Sequence, residues 1–243
     1  GGTTVAPTLV DPAYHSARDV GDEPLLLARH APTWVARDRV AGAKSAVSAG
    51  AEIVILDDGF QNPSLHKDIS ILVVDGGYGF GNRRVMPAGP LRENPDDAIA
   101  RADAVTIIGT DRHGIEASLS GRKPVLAARF IPRIEDEDLS GKAVLAFAGI
   151  GRPEKFFETL AGMGCDVVAT RAFADHHPYT SDEVMRLVED AAAAGAIAVT
   201  TEKDAVRLPP EACDIVRTLG VTLEWRDRNA LDTLLSPALT AKA

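Results

Sequence analysis

The chain has 243 residues, enough for one large domain or two modest ones with a buried core. Hydrophobic residues make up 45% and charged residues 25%, which is ordinary for a globular protein. The formal net charge is −9, and this acidic balance argues against a general nucleic-acid binder, which needs a basic surface to neutralise phosphates.

Short apolar runs alternate with helical patterns along the chain. Several runs are continuous Val/Ile/Leu segments, which is typical of parallel strands buried on both faces. The predicted strands are 52–57, 69–75, 104–109, 124–130, 142–148, 166–171, 196–201 and 221–225. The predicted helices are 23–30, 38–49, 95–101, 153–163, 181–194 and 210–219. This alternation predicts a doubly wound α/β fold.

A charged, turn-rich stretch at 132–142 is predicted to be a linker. It would separate a domain at 1–131 from a smaller α/β domain at 143–243. No internal repeat is visible in the sequence.

The apolar run 53–56 ends in Asp57, Asp58 and Gly59. In open α/β sheets, ligands bind at the carboxyl ends of strands, and a carboxylate there can hold Mg²⁺ directly or through water. The alternative is a solvated Asp-Gly turn, which is a common turn pair.

Two further acidic segments lie near predicted helix starts. The loop of Asp175, His176 and His177 precedes a helix that Ser181 is predicted to cap, and it offers a metal site or a general acid/base as an alternative to a solvated loop. Asp22 stands where another helix begins, as a catalytic base or as a first-turn acid that stabilises the helix.

The long glycine-rich stretch 76–93 follows a predicted strand and carries several arginines. Glycines allow close approach of a ligand, and arginines such as Arg83 and Arg92 can fork onto a phosphate or a carboxylate. The alternative is a surface loop. No GxxxxGK[ST] phosphate-binding motif occurs anywhere in the chain. The segment 200–205, where a predicted strand ends in hydroxyls and paired charges before a helix starts, is a further candidate for chemistry, and the alternative is helix capping with local ion pairing.

Eight strings, in this order, resemble one family, the tetraacyldisaccharide 4'-kinases of lipid A biosynthesis. Each string alone is weak, but the series in register is specific. The strings are VGDEPLLLA (20–28), RDR (37–39), LDDGFQ (56–61), GFGN (79–82), PAGPLRE (87–93), FAGIGRPEKFF (147–157), FADHHPY (173–179) and TTEKDAVRL (200–208).

The resemblance implies a P-loop-kinase-like, doubly wound and mostly parallel sheet with a second, smaller α/β domain. It also implies transfer of the ATP γ-phosphate, with Mg²⁺, to the 4'-hydroxyl of a tetraacyldisaccharide 1-phosphate lipid, which forms lipid IVA. The expected location is the cytoplasmic face of the bacterial inner membrane, whose surface is then a partner.

The resemblance also assigns roles to individual residues. Asp22 is expected to accept the proton of the sugar hydroxyl, paired with His176 in preference to His177. The expected metal-side acids are Asp57, Asp58 and Glu93, of which Glu93 is alternatively a substrate-side acid. The residues expected to bind the substrate's anomeric phosphate are Arg39, Arg83 and Arg92.

In this family the phosphate-binding loop and a membrane helix come before the part present here, and Gly1-Gly2 resembles the end of a glycine-containing segment. The chain is therefore expected to be an N-terminally truncated copy. Because Walker A amides and their lysine cradle the β- and γ-phosphates, the bare chain is expected to have little or no kinase activity.

Two other functions stay open. One is a metal-dependent phosphoesterase with Asp175, His176 and His177 as ligands, completed by acids such as Asp57, Asp58 and Asp75. The other is a non-catalytic module that binds a nucleotide or a sugar, because one α/β fold hosts many functions.

Overall fold

The computed structural model describes residues 6–133 and 139–240. Residues 134–138 of the predicted linker, the Gly1-Gly2 start and residues 241–243 lie outside the described residues. The strands are β1 (Thr8–Leu9), β2 (Trp34–Val35), β3 (Ile71–Asp75), β4 (Ala104–Ile108), β5 (Val125–Pro132), β6 (Ala143–Ala148), β7 (Asp166–Ala172), β8 (Ile197–Thr201), β9 (Arg217–Leu219) and β10 (Val221–Trp225). The helices are α1 (Ala17–Val20), α2 (Asp22–Ala28), α3 (Arg39–Ser48), α4 (Pro95–Arg101), α5 (Ile115–Leu119), α6 (Pro153–Gly162), α7 (Ser181–Ala193), α8 (Glu202–Ala205) and α9 (Arg228–Thr240).

Two compact units divide the chain, and each combines segments that are distant in sequence. Unit 1 consists of Gly1–Ser45 and Pro132–Val221, and unit 2 consists of Ala46–Ile131 and Thr222–Ala243. The domain ranges proposed from the sequence, 1–131 and 143–243, stay predictions.

Unit 1 contains a four-stranded parallel sheet in the order β7-β6-β8-β9. The central strand β6 is apolar at every position because helices cover both of its faces. Leu145 and Phe147 pack in a cluster with Val184 of α7, and Val144 packs on the other face in a cluster with Leu160 of α6. The prediction from the continuous apolar run, a strand buried on both faces, is therefore confirmed.

Unit 2 contains a second four-stranded sheet, in the order β10-β5-β4-β3. Strands β3, β4 and β5 are parallel. Its core joins Val105 and Ile107 of β4 to Ile99 of α4 and Leu119 of α5. The chain is thus an α/β fold with parallel sheets.

Two predicted elements are wrong. Residues 52–57 pair with no strand in the described part of the chain, and Ile55 is 91% exposed. An apolar run forms a strand only beside a partner that accepts its backbone hydrogen bonds, and sequence alone does not show whether that partner is present. The predicted helix 210–219 is a short 3-10 turn, Pro210–Ala212, followed by β9, because the segment pairs with β8 instead.

The start of α7 differs from prediction by one residue. Thr180, not Ser181, is the N-cap, and it forms a capping box with Glu183. The geometry decides this, because the cap must precede the first helical residue and its side chain accepts from the Glu183 N–H.

Candidate active site

Asp22 and His176 are brought together in unit 1 although they lie far apart in the sequence. Asp22 is the first residue of α2, after Gly21, and only 9% of its side chain is exposed. The Nδ1 atom of His176 lies 2.9 Å from Asp22 Oδ2. Because an ionised carboxylate only accepts hydrogen bonds, Nδ1 carries the proton and donates it.

The loop that carries His176 is fixed to the end of β6. His176 has a left-handed backbone (φ 59), and its N–H donates to the Gly149 carbonyl at 3.0 Å. A Cβ on Gly149 would lie 3.0 Å from the Ala174 carbonyl oxygen and 3.1 Å from the Tyr179 Oη, so a larger residue there would require these neighbours to shift by a few tenths of an ångström.

His177 has a different role from its neighbour. Its ring stacks on Phe173 at 4.7 Å between centroids, and its Nε2 lies 3.3 Å from Glu183 Oε1. The geometry therefore places His176, and not His177, beside Asp22.

A buried carboxylate that was not assigned a role from the sequence, Asp204, lies behind this pair. It has no exposed surface, and it accepts hydrogen bonds from the Gly149 N–H at 2.9 Å, the Tyr179 hydroxyl at 2.9 Å and the Thr201 hydroxyl at 2.6 Å. Burial raises the pKa of Tyr179, and the charge of Asp204 raises it further, so this hydroxyl stays protonated and donates. Asp204 thus holds the ends of β6 and β8 and the histidine loop in one arrangement.

Arg207 is the second residue that sequence reasoning missed. Its guanidinium is 6% exposed, contacts both Asp22 Oδ2 and Asp204 Oδ1, and donates to the Gly149 carbonyl at 2.8 Å. The capping interpretation of 200–205 is confirmed, since Thr201 caps α8. The available signal was the interleaving of Asp204 and Arg207 with apolar residues, which indicates a charged pair inside a buried turn.

Opposing effects set the charge of Asp22. Burial raises the pKa of its carboxyl, but the hydrogen bond and charge of His176, with the charges of Lys203 and Arg207, outweigh burial and leave that pKa below its ordinary value. Asp22 is therefore ionised at neutral pH.

This lowered pKa predicts a pH-dependent stability. Because the unfolded state binds the proton more readily, Asp22 stabilises the folded chain above its unfolded pKa of about 3.9, and the contribution is lost as pH falls through the lower folded pKa. We expect Asp22→Asn to lower the free energy of unfolding at neutral pH much more than in strong acid. Urea unfolding across the acid range measures this, with Asp214→Asn, an exposed carboxylate of unit 1, as control. Parallel pH curves for Asp22→Asn and the parent chain would contradict it.

Most of the other residues predicted from the sequence take part in ion pairs of unit 2. Arg39 begins α3. In unit 2, Arg92 lies 2.6 Å from Asp58, Arg101 lies 2.7 Å from Glu93, and Arg83 lies 3.2 Å from Asp96. These pairs are partly or largely exposed, and each predicted acid among them has its own arginine. Asp57 follows the irregular segment 52–56.

The described residues contain no group of three or more His, Cys, Asp or Glu side chains arranged to hold a metal ion. Asp75, one of the acids considered for a phosphoesterase site, accepts the N–H groups of Gly77 and Tyr78 at 2.9 and 3.0 Å. Mg²⁺ in phosphoryl-transfer enzymes usually takes one or two carboxylates, with phosphates and waters as further ligands. The assignment of Asp57, Asp58 and Glu93 to Mg²⁺ stays a prediction.

A family model described as LpxK, tetraacyldisaccharide-1-P 4'-kinase, matches residues 1–240. The chain belongs to the tetraacyldisaccharide 4'-kinase family. A tetraacyldisaccharide 4'-kinase of Rhodospirillum centenum is 56% identical over 243 residues, which are 100% of this chain and 72% of that protein. The enzyme of the same name from Paramagnetospirillum magneticum is 53% identical over 226 residues, covering 93% of this chain and 70% of that protein.

The fold of this tetraacyldisaccharide 4'-kinase family member also matches a solved structure. The crystal structure of LpxK from Aquifex aeolicus in complex with ATP superposes with a TM-score of 0.74 at 26% identity, covering 98% of this chain and 76% of that one. No helix within the described residues has both the length and the apolar character to cross a bilayer.

Proposed function

We propose that this chain serves the reaction of its family, transfer of the ATP γ-phosphate to the 4'-hydroxyl of a tetraacyldisaccharide 1-phosphate lipid, which forms lipid IVA in lipid A biosynthesis. The observation that carries this proposal is the Asp22–His176 pair, 2.9 Å apart, in a chain that matches the family model over residues 1–240. The parallel sheets and the superposition on an ATP-bound relative support the finer fold, a P-loop-kinase-like doubly wound sheet with a smaller α/β domain.

Asp22 acts as the general base in this proposal. Its Oδ2 atom is held by His176 and Arg207, while Oδ1 accepts the Glu23 N–H at 3.1 Å and retains a second lone pair for the sugar hydroxyl. His176 orients the carboxylate through Nδ1. Phosphoryl transfer depends mostly on positioning and charge neutralisation, so a fixed base suits it.

The acids and arginines of unit 2 have complementary proposed roles. One or two carboxylates among Asp57, Asp58 and Glu93 would hold Mg²⁺, which would neutralise charge on the transferring phosphate. Arg83 and Arg92 would bind the substrate's anomeric phosphate. The Arg92–Asp58 pair is about 60% exposed on both sides, so it contributes little stability and can exchange partners at small cost.

The substrate's acyl chains place the reaction at a membrane surface. A lipid with four acyl chains stays in the bilayer while its head group reaches the protein, because exposing each buried CH₂ costs about 0.8 kcal/mol. We therefore propose the cytoplasmic face of the inner membrane as the location, where ATP is available.

A chimera tests the proposed function. The part of the Rhodospirillum centenum relative that lies outside the match, 28% of its length by difference from the matched 72%, is joined to this chain, and both are incubated with γ-labelled ATP, Mg²⁺ and tetraacyldisaccharide 1-phosphate in detergent micelles. We expect the chimera to form the 4'-phosphorylated lipid and the bare chain, which has no GxxxxGK[ST], to form little. A folded chimera without lipid phosphorylation would count against the function, and nucleotide-independent release of phosphate would favour the phosphoesterase instead.

A further inference from the structure

Three charged groups are buried together beside the proposed base. Arg207 is 6% exposed, Asp22 is 9% exposed and Asp204 has no exposed side-chain surface. Removing charges from water costs several kcal/mol per ion, and buried ion clusters are often no more stable than apolar residues of the same volume. Fold stability alone is therefore a weak reason for this cluster, and its position next to Asp22 suggests a second role.

The guanidinium connects both members of the Asp22–His176 pair. One Nη contacts Asp22 Oδ2, the atom that also accepts from His176 Nδ1. The other Nη donates to the Gly149 carbonyl, which also accepts the His176 N–H at 3.0 Å. The planar guanidinium thus contacts the Asp22 side chain directly and is linked to the His176 backbone through the shared Gly149 carbonyl.

Asp204 fixes that plane in turn. It binds the Arg207 Nη that does not contact Asp22, and it accepts the Gly149 N–H at 2.9 Å, so both polar groups of the Gly149 backbone are engaged in the same network. A lysine cannot reproduce this arrangement, because its ammonium is a compact point charge without the planar fork.

We propose that Arg207 is a positioning residue for phosphoryl transfer, a clamp anchored on Asp204 that sets the distance and orientation between Asp22 and His176. The assignment rests on the proposed function of that pair. Arg207 acts through Asp22 and Gly149 and does not touch the substrate.

Other charges near Asp22 must be separated from the effect of Arg207. His176 donates to Asp22 directly, and Lys203 lies nearby, paired with Glu23 at 3.1 Å. Asp204 adds a negative charge that pairs with Arg207. A substitution of Arg207 leaves His176, Lys203, Glu23 and Asp204 in the chain. A change in the pKa of Asp22 in such a variant therefore comes from the loss of Arg207.

The test uses nuclear magnetic resonance on the whole 243-residue chain. The ¹³C shift of the Asp22 carboxyl gives its pKa, and the ¹⁵N shifts of the His176 ring give the tautomer. The variants are Arg207→Met and Arg207→Lys. The matched control is Arg133→Met, which breaks the Arg133–Glu202 ion pair of unit 1 at 3.0 Å without touching Asp22.

We expect Arg207→Met to raise the pKa of Asp22, and Arg133→Met to leave it unchanged. We expect Arg207→Lys, which keeps the charge and loses the fork, to convert His176 from the Nδ1-protonated tautomer to a mixture of both. A folded Arg207→Met variant with an unchanged Asp22 pKa would overturn the proposal. If Arg207→Met does not fold, Arg207→Lys decides, and an unchanged tautomer then overturns it.

These resonance measurements are independent of kinase turnover. A chimera that fails to phosphorylate lipid would contradict the proposed function, while the effect of Arg207 on Asp22 and His176 could still be measured. Conversely, an active chimera combined with unchanged resonances in both Arg207 variants would contradict only the positioning role of Arg207.

Discussion

Asp22→Asn in the chimera is expected to lower kcat by about 10²- to 10⁴-fold, the usual contribution of a general base. The amide keeps the shape of the carboxylate but cannot accept the proton of the sugar hydroxyl. It also removes the charge that holds His176 Nδ1 at 2.9 Å. The KM for ATP is expected to stay within a few-fold, because the proposed role concerns the acceptor hydroxyl.

The rate is measured with labelled ATP at saturating concentrations of both substrates. The control is Asp19→Asn in the neighbouring helix α1, where the carboxylate accepts from Ser16 and forms an exposed capping box. Asp19→Asn should leave kcat near the parent value. An Asp22→Asn chimera that turns over like the control would refute the assignment of Asp22 as the base.

Asp204→Ala is expected to cause the largest loss of stability in unit 1, about 3–5 kcal/mol. Three donors lose their acceptor in a buried position: the Gly149 N–H, the Tyr179 hydroxyl and the Thr201 hydroxyl. The Arg207 guanidinium, 6% exposed, loses one of its two counter-charges at the same time. Breaking one side of a buried pair costs more than the pair contributes, since the remaining charge stays unsolvated.

Urea unfolding followed by circular dichroism gives the free energy of unfolding, and hydrogen exchange of the β6 amides assigns the loss to unit 1. Asp214→Ala, which removes an exposed aspartate of the same unit, serves as control and should change stability by less than about 0.5 kcal/mol. Equal free energies of unfolding for the two variants would show that the buried hydrogen bonds of Asp204 do not stabilise unit 1.

The strongest local signals identified most of the fold. The run that forms β6 is apolar at every position and those that form β4 and β8 at most positions, and that pattern favours cover on both faces. Helix α4 begins and ends where predicted, because Asn94 caps it and Pro95 suits its first turn. The family followed from eight ordered strings, since each constrains residue identity independently of the others.

The tertiary structure decided which segments pair as strands. The run 52–57 has strand composition but forms no strand in the described chain. The segment 210–219 has a helical pattern, yet its last residues pair with β8. A strand is stabilised by hydrogen bonds to a neighbour, and the neighbour's presence is a property of the fold and not of the segment.

In the candidate site, too, the sequence shows the residue types and the fold decides which of them meet. The residue types of Asp22 and His176 and their membership in family strings are sequence facts, but the 2.9 Å contact between them exists only because the fold brings α2 to the loop after β7. In the sequence, Asp204 and Arg207 belong to the family string 200–208 but have no predicted part in the site. Their role follows from burial. A charged side chain removed from water needs charged or hydrogen-bonding partners inside the protein, and here those partners include the proposed base.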